Sequence, residues 1–345
     1  MHTTLSQLIA GHPADALALG APGRGWLTYG GLRDQASRVQ DALRGFGVGA
    51  ADRVAIVLPN GPDMASAFFT IAQAATTAPL NPNYREDEFA FYLEDLSAKA
   101  LVIEAGYDGP ALAAAQRLGL QVITLVAEEA AGAFSLKCET TGAGQGYVNA
   151  ENVALILHTS GTTSRPKIVP LLQSNVAASA QNIAASLALN AEDRCLNVMP
   201  LFHIHGLVAA VAASFAAGGS IFCTAGFNAL NFFAMMAEAK PSWYTAVPTM
   251  HQAILARAGR NAETIANVPL RFLRSSSASL PAQVMGQLSE TFNAPVIEAY
   301  GMTEAAHQMC CNPLDRQEPG SVGGAAGPEV AIAHESENRL IDGTG

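Results

Sequence analysis

The segment His158-Thr-Ser-Gly-Thr-Thr-Ser-Arg-Pro-Lys167 gathers small hydroxyl residues, one glycine and a cation within ten positions. Backbone N–H and side-chain O–H groups in such a run can wrap phosphate oxygens. Gly161 lets the backbone approach an anion closely, and Lys167 supplies a positive charge. From Gly161 to Lys167 the spacing fits a Walker loop, but Pro166 stands where the second glycine belongs and Ile168 replaces Ser/Thr. The string therefore argues against a kinase-like NTPase. Taken by composition alone, it is also compatible with a polar strand-to-helix loop that caps a helix beginning near Leu172.

A second run, Glu298-Ala-Tyr-Gly-Met-Thr-Glu304, combines an aromatic face able to stack on a purine with a hard carboxylate suited to Mg2+ bridged to phosphates. Between the two lies Ser275-Ser-Ser-Ala-Ser-Leu280, whose serines could equally cap a helix. Pro200-Leu-Phe-His-Ile-His-Gly206 places His203 and His205 at i and i+2, on one side of the chain if the segment is extended. Three readings stay open for these histidines: a metal site, for which no third ligand has recognisable spacing; satisfied core histidines; or the wall of a pocket. If His205, His307 or Arg274 lines an acyl pocket, that pocket is unusually polar. A fatty-acid tunnel wants apolar walls, whereas a small dicarboxylate needs a cation or hydrogen-bond donors for its second carboxylate.

The ten-residue string resembles the signature of the adenylate-forming (AMP-binding, acyl-CoA synthetase) superfamily, Thr-Ser-Gly-Thr-Thr-Gly-x-Pro-Lys-Gly. It departs at Ser164 and Ile168 and keeps Thr159, Ser160, Gly161, Thr162, Thr163 and Lys167. Tyr300-Gly-Met-Thr-Glu304 resembles the family's second nucleotide motif. The resemblance implies Tyr300 along the adenine with Gly301 and Met302 beside it, Thr303 on the α-phosphate and Glu304 on Mg2+. It likewise implies the backbone of Ser277, Ala278 and Ser279 flanking the adenine, and the segment of His203 and His205 bordering the carboxylate pocket, where Arg274 and His307 are further substrate-binding candidates. The runs "MPLFHIHGLVA", "WYTAVPTMHQAIL" and "EAYGMTEAAHQM" resemble oxalate–CoA ligases within the superfamily. The implied reaction uses ATP, Mg2+ and CoA. The carboxylate attacks the α-phosphorus to give acyl-AMP and pyrophosphate, and CoA then displaces AMP. The implied catalytic residues are Lys167, Thr303, Glu304 and His203. A ribose-binding aspartate, a hinge and a small C-terminal domain with the adenylation lysine belong to the family pattern beyond Gly345, so the piece itself is expected to bind nucleotide and turn over poorly. An aromatic or medium-chain acyl-CoA ligase and a non-catalytic adenylate-binding protein remain alternatives.

Positioning these motifs requires alternating elements. Helical spacing over Leu32–Phe46, Ser66–Thr77, Glu86–Leu96 and Pro110–Leu118 alternates with strand patterns over Arg53–Pro59, Ala100–Ile103, Gln121–Leu125 and Val153–His158. Further strands are expected at Cys195–Val198, Ser220–Cys223, Ser242–Thr245, Arg271–Leu273 and Pro295–Glu298. Strands separated by such helices build mostly parallel, helix-covered sheets. The expected architecture is α/β, with a first sheet in 1–150, a nucleotide- and acyl-binding sheet in 151–312, and the start of a β-rich, distorted-barrel subdomain in 313–345. Half of the 345 residues are hydrophobic and 14% are charged, which excludes disorder. The net charge of -10 and the lack of a basic stripe point away from nucleic acid, while the resemblance implies a small-molecule carboxylate partner. Gly206–Phe222 falls short of a membrane span and reads as a buried helix running into a strand. No basic, apolar leader opens the chain, and five cysteines show no CxxC pair, so a reducing, cytoplasmic setting is expected. Oligomeric state is not legible.

Overall fold

The computed structural model describes residues 2–159, 166–334, 336 and 339–341. Its strands, in chain order, are β1 Leu17–Ala21, β2 Arg24–Thr28, β3 Arg53–Val57, β4 Thr76–Pro79, β5 Ala100–Glu104, β6 Gln121–Ala127, β7 Phe134–Lys137 and β8 Val153–Thr159. They continue with β9 Lys167–Leu172, β10 Arg194–Asn197, β11 Ser220–Cys223, β12 Trp243–Ala246, β13 Phe272–Ser275, β14 Val296–Met302, β15 His307–Cys311 and β16 Gly324–Ala325.

These form two sheets. One has nine strands in the order β16-β15-β14-β13-β12-β10-β11-β1-β2, the other seven in the order β7-β6-β5-β3-β4-β8-β9. Most pairs are parallel; β1/β2, β6/β7, β8/β9, β14/β15 and β15/β16 are antiparallel. The sheets do not divide at residue 150. The early hairpin β1/β2 joins the larger sheet through β11, and β8/β9 close the smaller sheet beside β4. Beyond Pro313, β16 extends the larger sheet and Ala333 bridges Leu340.

Side-chain alternation along each strand assigns the layers. In β3, Val54 and Ile56 enter a core shared by both sheets, while Ala55 and Val57 enter an outer core. In β12 and β13, Trp243 and Phe272 enter the shared core, while Tyr244 and Leu273 face a third. Helices Tyr29–Gly45, Pro62–Ile71 and Gln173–Ser186 supply the middle layer. So does the Gly206–Phe222 segment, which is a π-helix His205–Ala212 continued as an α-helix to Ala216 before β11. The expected helix into strand is present, with one residue more per turn at its start. Among the described residues no helix is long and apolar enough to cross a membrane.

The phosphate segment sits differently from its expected strand-to-helix setting. Lys167 opens β9, which runs antiparallel to β8 with Thr159 opposite Lys167. The helix starts only at Gln173. Thr159 and Lys167 thus pair across two antiparallel strands, and Lys167 leads into a strand before the helix begins. Ser160, Gly161, Thr162 and Thr163 lie outside the described residues.

Candidate active site

A cavity of about 470 Å³ opens at the carboxyl ends of β10, β12, β13 and β14, with Leu157 and His158 of β8 forming its opposite wall. Ends of parallel strands are where crossovers leave a crevice free of covering helices. His203, His205, Ser277, Gly301, Met302, Thr303 and His307 all line it.

The histidine segment is not extended. Leu201–His203 turns directly into the π-helix that His205 opens. His203 stays solvent-exposed, with its ring 4.5 Å from that of Phe202, while His205 is buried. Both still reach the same cavity, but from a turn and a helix start rather than from one face of a strand.

Arg274 does not line the cavity. Strand alternation places it on the same face as Phe272, in the shared core, where it is fully buried. It backs the cavity wall: Nη1 lies 3.3 Å from His205 Nε2 and 3.3 Å from Thr245 Oγ1. Nη2 lies 3.2 Å from His307 Nε2 and donates to Gln308 Oε1 at 3.2 Å. Nε is buried without a partner. No ion pair of Arg274 occurs among the described residues. Burial lowers its pKa to about 10, which keeps it charged at neutral pH. His205 also contacts Thr245 Oγ1 at 2.6 Å through Nε2 and Ser277 Oγ at 2.9 Å through Nδ1. Its ring stacks on that of His307, with centroids 5.2 Å apart and planes at 26°. Burial drives the pKa of both rings well below the usual histidine value; Arg274 adds to this in both, and His307 itself adds to it in His205. Behind them, His251 bonds to Tyr244 OH at 3.1 Å and to Arg274 O at 3.3 Å, and burial lowers its pKa to about 4.

Two cavity residues hold backbone conformations that side chains disfavour: Ser277 at φ +73° and His307 at φ +100°. Such conformations persist only where surrounding contacts over-determine them. Gly301 is one such constraint, since a Cβ there would lie 1.6 Å from the His307 carbonyl oxygen. Glu298 is another. Its buried Oε1 accepts the Leu280 N–H at 2.9 Å, and Ser276 Oγ donates to Ala299 O at 2.8 Å, tying the serine loop to the second motif.

The remaining residues lie around this centre. Ala278 and Ser279 are exposed in the loop after β13, and Tyr300 is 49% exposed on β14, outside the cavity lining. Glu304 is exposed in the turn Thr303–Ala305 and borders a neighbouring cleft with Pro170 and Leu171 of β9, the strand that Lys167 opens. One exposed carboxylate beside the strand that Lys167 opens fits Mg2+, which dehydrates reluctantly and binds through few protein ligands plus phosphates. Among the described residues no three His, Cys, Asp or Glu side chains cluster as a metal cage.

Sequence reasoning missed the pair on the facing wall. His158 Nε2 lies 3.1 Å from Asp95 Oδ2, and the His158 ring meets Tyr92 edge-on at 4.6 Å. Asp95 ends an amphipathic helix, Glu86–Asp95, and nothing local distinguishes it from Glu94. Thr245 and Gln308 were missed for the same reason.

The layered sheets with a polar cavity at their strand ends define an α/β fold of the helix-covered, mostly parallel kind, and residues 6–345 match the family described as AMP-binding enzyme; the chain belongs to that family. It is 41% identical over 334 residues to an oxalate–CoA ligase of Arabidopsis thaliana, covering 93% of this chain and 65% of that protein. It is 36% identical over 330 residues to an oxalate–CoA ligase of Saccharomyces cerevisiae, covering 85% and 58%. The chain thus spans less than two thirds of the length of these relatives. Among solved structures, apo MatB from Rhodopseudomonas palustris matches with a TM-score of 0.84 at 25% identity, covering 99% of this chain and 68% of that one.

Proposed function

We propose that the chain is the nucleotide- and acyl-binding part of an AMP-forming carboxylate–CoA ligase for a small acid such as oxalate. The observation that carries this reading is the cavity wall, where His205, His307 and Ser277 bring polar groups to a small space beside Gly301–Thr303. A long acyl chain would leave those groups unpaired, at a cost of about 1–3 kcal/mol each. The relatives named as oxalate–CoA ligases support the same substrate class.

In this reading a carboxylate oxygen attacks the α-phosphorus of ATP and pyrophosphate leaves. The CoA sulfur then attacks the acyl carbon, and AMP leaves with the electron pair of the acyl–phosphate bond. Thr159–Thr163 and Lys167 hold the phosphates, Thr303 donates to the α-phosphate, and Ser277–Ser279 with Tyr300–Met302 flank the adenine. Glu304 holds Mg2+, which when bound neutralises phosphate charge. His203 meets the reacting carboxylate at the open side of the cavity, while His205 and His307 hold the far one. Alignment and charge neutralisation supply the rate, without a covalent enzyme intermediate. The five free thiols support a reducing, cytoplasmic setting.

Acid-dependent ATP–pyrophosphate exchange tests the proposal, with the chain alone and with the C-terminal part of a relative supplied in trans. Oxalate is expected to stimulate exchange, weakly alone and strongly with the added part, and Glu304→Ala to abolish it. Exchange driven by long-chain acids but not by oxalate would overturn the small-acid reading.

A further inference from the structure

We propose that Arg274 is a positioning residue that fixes the tautomers of His205 and His307, so that the deep wall of the cavity turns hydrogen-bond donors toward the substrate. The inference rests on the small-acid reading for its consequence, and on geometry alone for the tautomers.

A guanidinium group has five donors and no acceptor, so a ring nitrogen that bonds to it must offer a lone pair. Nη1 reaches His205 Nε2 and Nη2 reaches His307 Nε2. Both neutral rings therefore carry their proton on Nδ1, the less common tautomer of a free imidazole. The neighbouring bonds agree. The single Nε2 lone pair of His205 is shared in a three-centre arrangement, with the Thr245 hydroxyl donating at 2.6 Å and Nη1 at 3.3 Å, while Thr245 Oγ1 itself accepts from Nη1. His205 Nδ1–H then donates to Ser277 Oγ, which leaves the Ser277 hydroxyl proton free for the cavity. His307 keeps Nδ1–H for the cavity that its ring borders. The near-parallel stacking of the two rings lets one planar fork serve both, a pre-organised geometry that a lysine ammonium does not provide.

The surroundings keep the arrangement in place. The ionisable groups around these rings are Arg274 itself, His203, His251, Cys195 and Cys311. None is a carboxylate that would draw a second proton onto an imidazole. The Nε2 lone pair that a metal would need on His205 already faces Arg274 and Thr245, which argues against the metal reading of the His203/His205 pair. Two donors facing one space suit a second carboxylate. A methyl-terminated acid would strand both, and sites built on hydrogen bonds reject partners that lack them.

Long-range 1H–15N correlation of the histidine rings in the unmodified chain tests the tautomers directly. Protonated Nδ1 and unprotonated Nε2 in both rings at neutral pH is the expected result; protonated Nε2 in either would overturn the proposal. Arg274→Lys and Arg274→Gln, titrated with oxalate in the presence of ATP, test the consequence. About a tenfold loss of oxalate affinity is expected, the effect of one charge-assisted hydrogen bond, with ATP affinity unchanged within about twofold. Unchanged oxalate affinity alongside mixed tautomers would overturn it. Fixed Nδ1–H tautomers in a chain that ignores oxalate would sink the small-acid reading and leave the tautomer assignment standing.

Discussion

Histidines stand on two facing walls of one cavity, and their partners have opposite charge. On the wall from the smaller sheet, His158 meets the Asp95 carboxylate. On the wall from the larger sheet, His205 and His307 meet the Arg274 guanidinium. Burial lowers the pKa of all three. Asp95 partly offsets that loss at His158, whereas Arg274 deepens it at the other two. The same side chain thus has its protonated form partly supported on one wall and further opposed on the other. Burial is the largest cause on both walls, and the charge beside each ring, Asp95 or Arg274, sets whether that shift is offset or deepened.

Acidification should expose the contrast most strongly. An unfolded histidine protonates near pH 6.5, while folded His205, His307 and His251 resist protonation. Below that value the unfolded chain binds more protons, so stability falls as pH falls. Three such groups give on the order of 4 kcal/mol per pH unit once pH is well below 6.5 and still above the folded values. Urea midpoints at pH 7, 6 and 5 should show this slope; a flat profile would break the contrast.

Arg274→Ala comes next. It removes the donor from His205, His307, Thr245 and Gln308 and leaves a void in the shared core, which should cost on the order of 3 kcal/mol or more in denaturant unfolding. A loss no greater than that of an exposed arginine would mean that the cluster does not organise the wall. Asp95→Asn should have the smallest effect, about 1 kcal/mol. Its sharper signature is a further fall in the His158 pKa, read by NMR titration, and a rise would contradict the assigned role of the carboxylate.

Much of the architecture was legible because central strands such as β3 and β5 are short apolar runs bounded by turns, and the helices carry an apolar stripe. The failures have local causes. β9, "KIVPLL", contains Pro170, which argues against a central strand, yet it is the last strand of its sheet, where a missing N–H is tolerated. β1 pairs with β11, some two hundred positions later, and no local pattern encodes that partner. Among site residues, His203, His205, His307 and Ser277 were recognisable and do meet in one cavity. Arg274 was expected on the pocket wall itself; its place behind the wall follows from alternation along β13, a strand expected to end at Leu273 and observed to end at Ser275.

The π-helix at His205–Ala212 has a consequence for how this wall is specified. An i→i+5 turn holds one more residue than an α-turn, and deleting that residue would restore ordinary α geometry and swing everything before it by about 100°. His205 would leave Arg274, Thr245 and Ser277 together. The cavity is therefore encoded by a residue count as well as by residue identities, and a chain retaining every named side chain but one position shorter here would present a different wall.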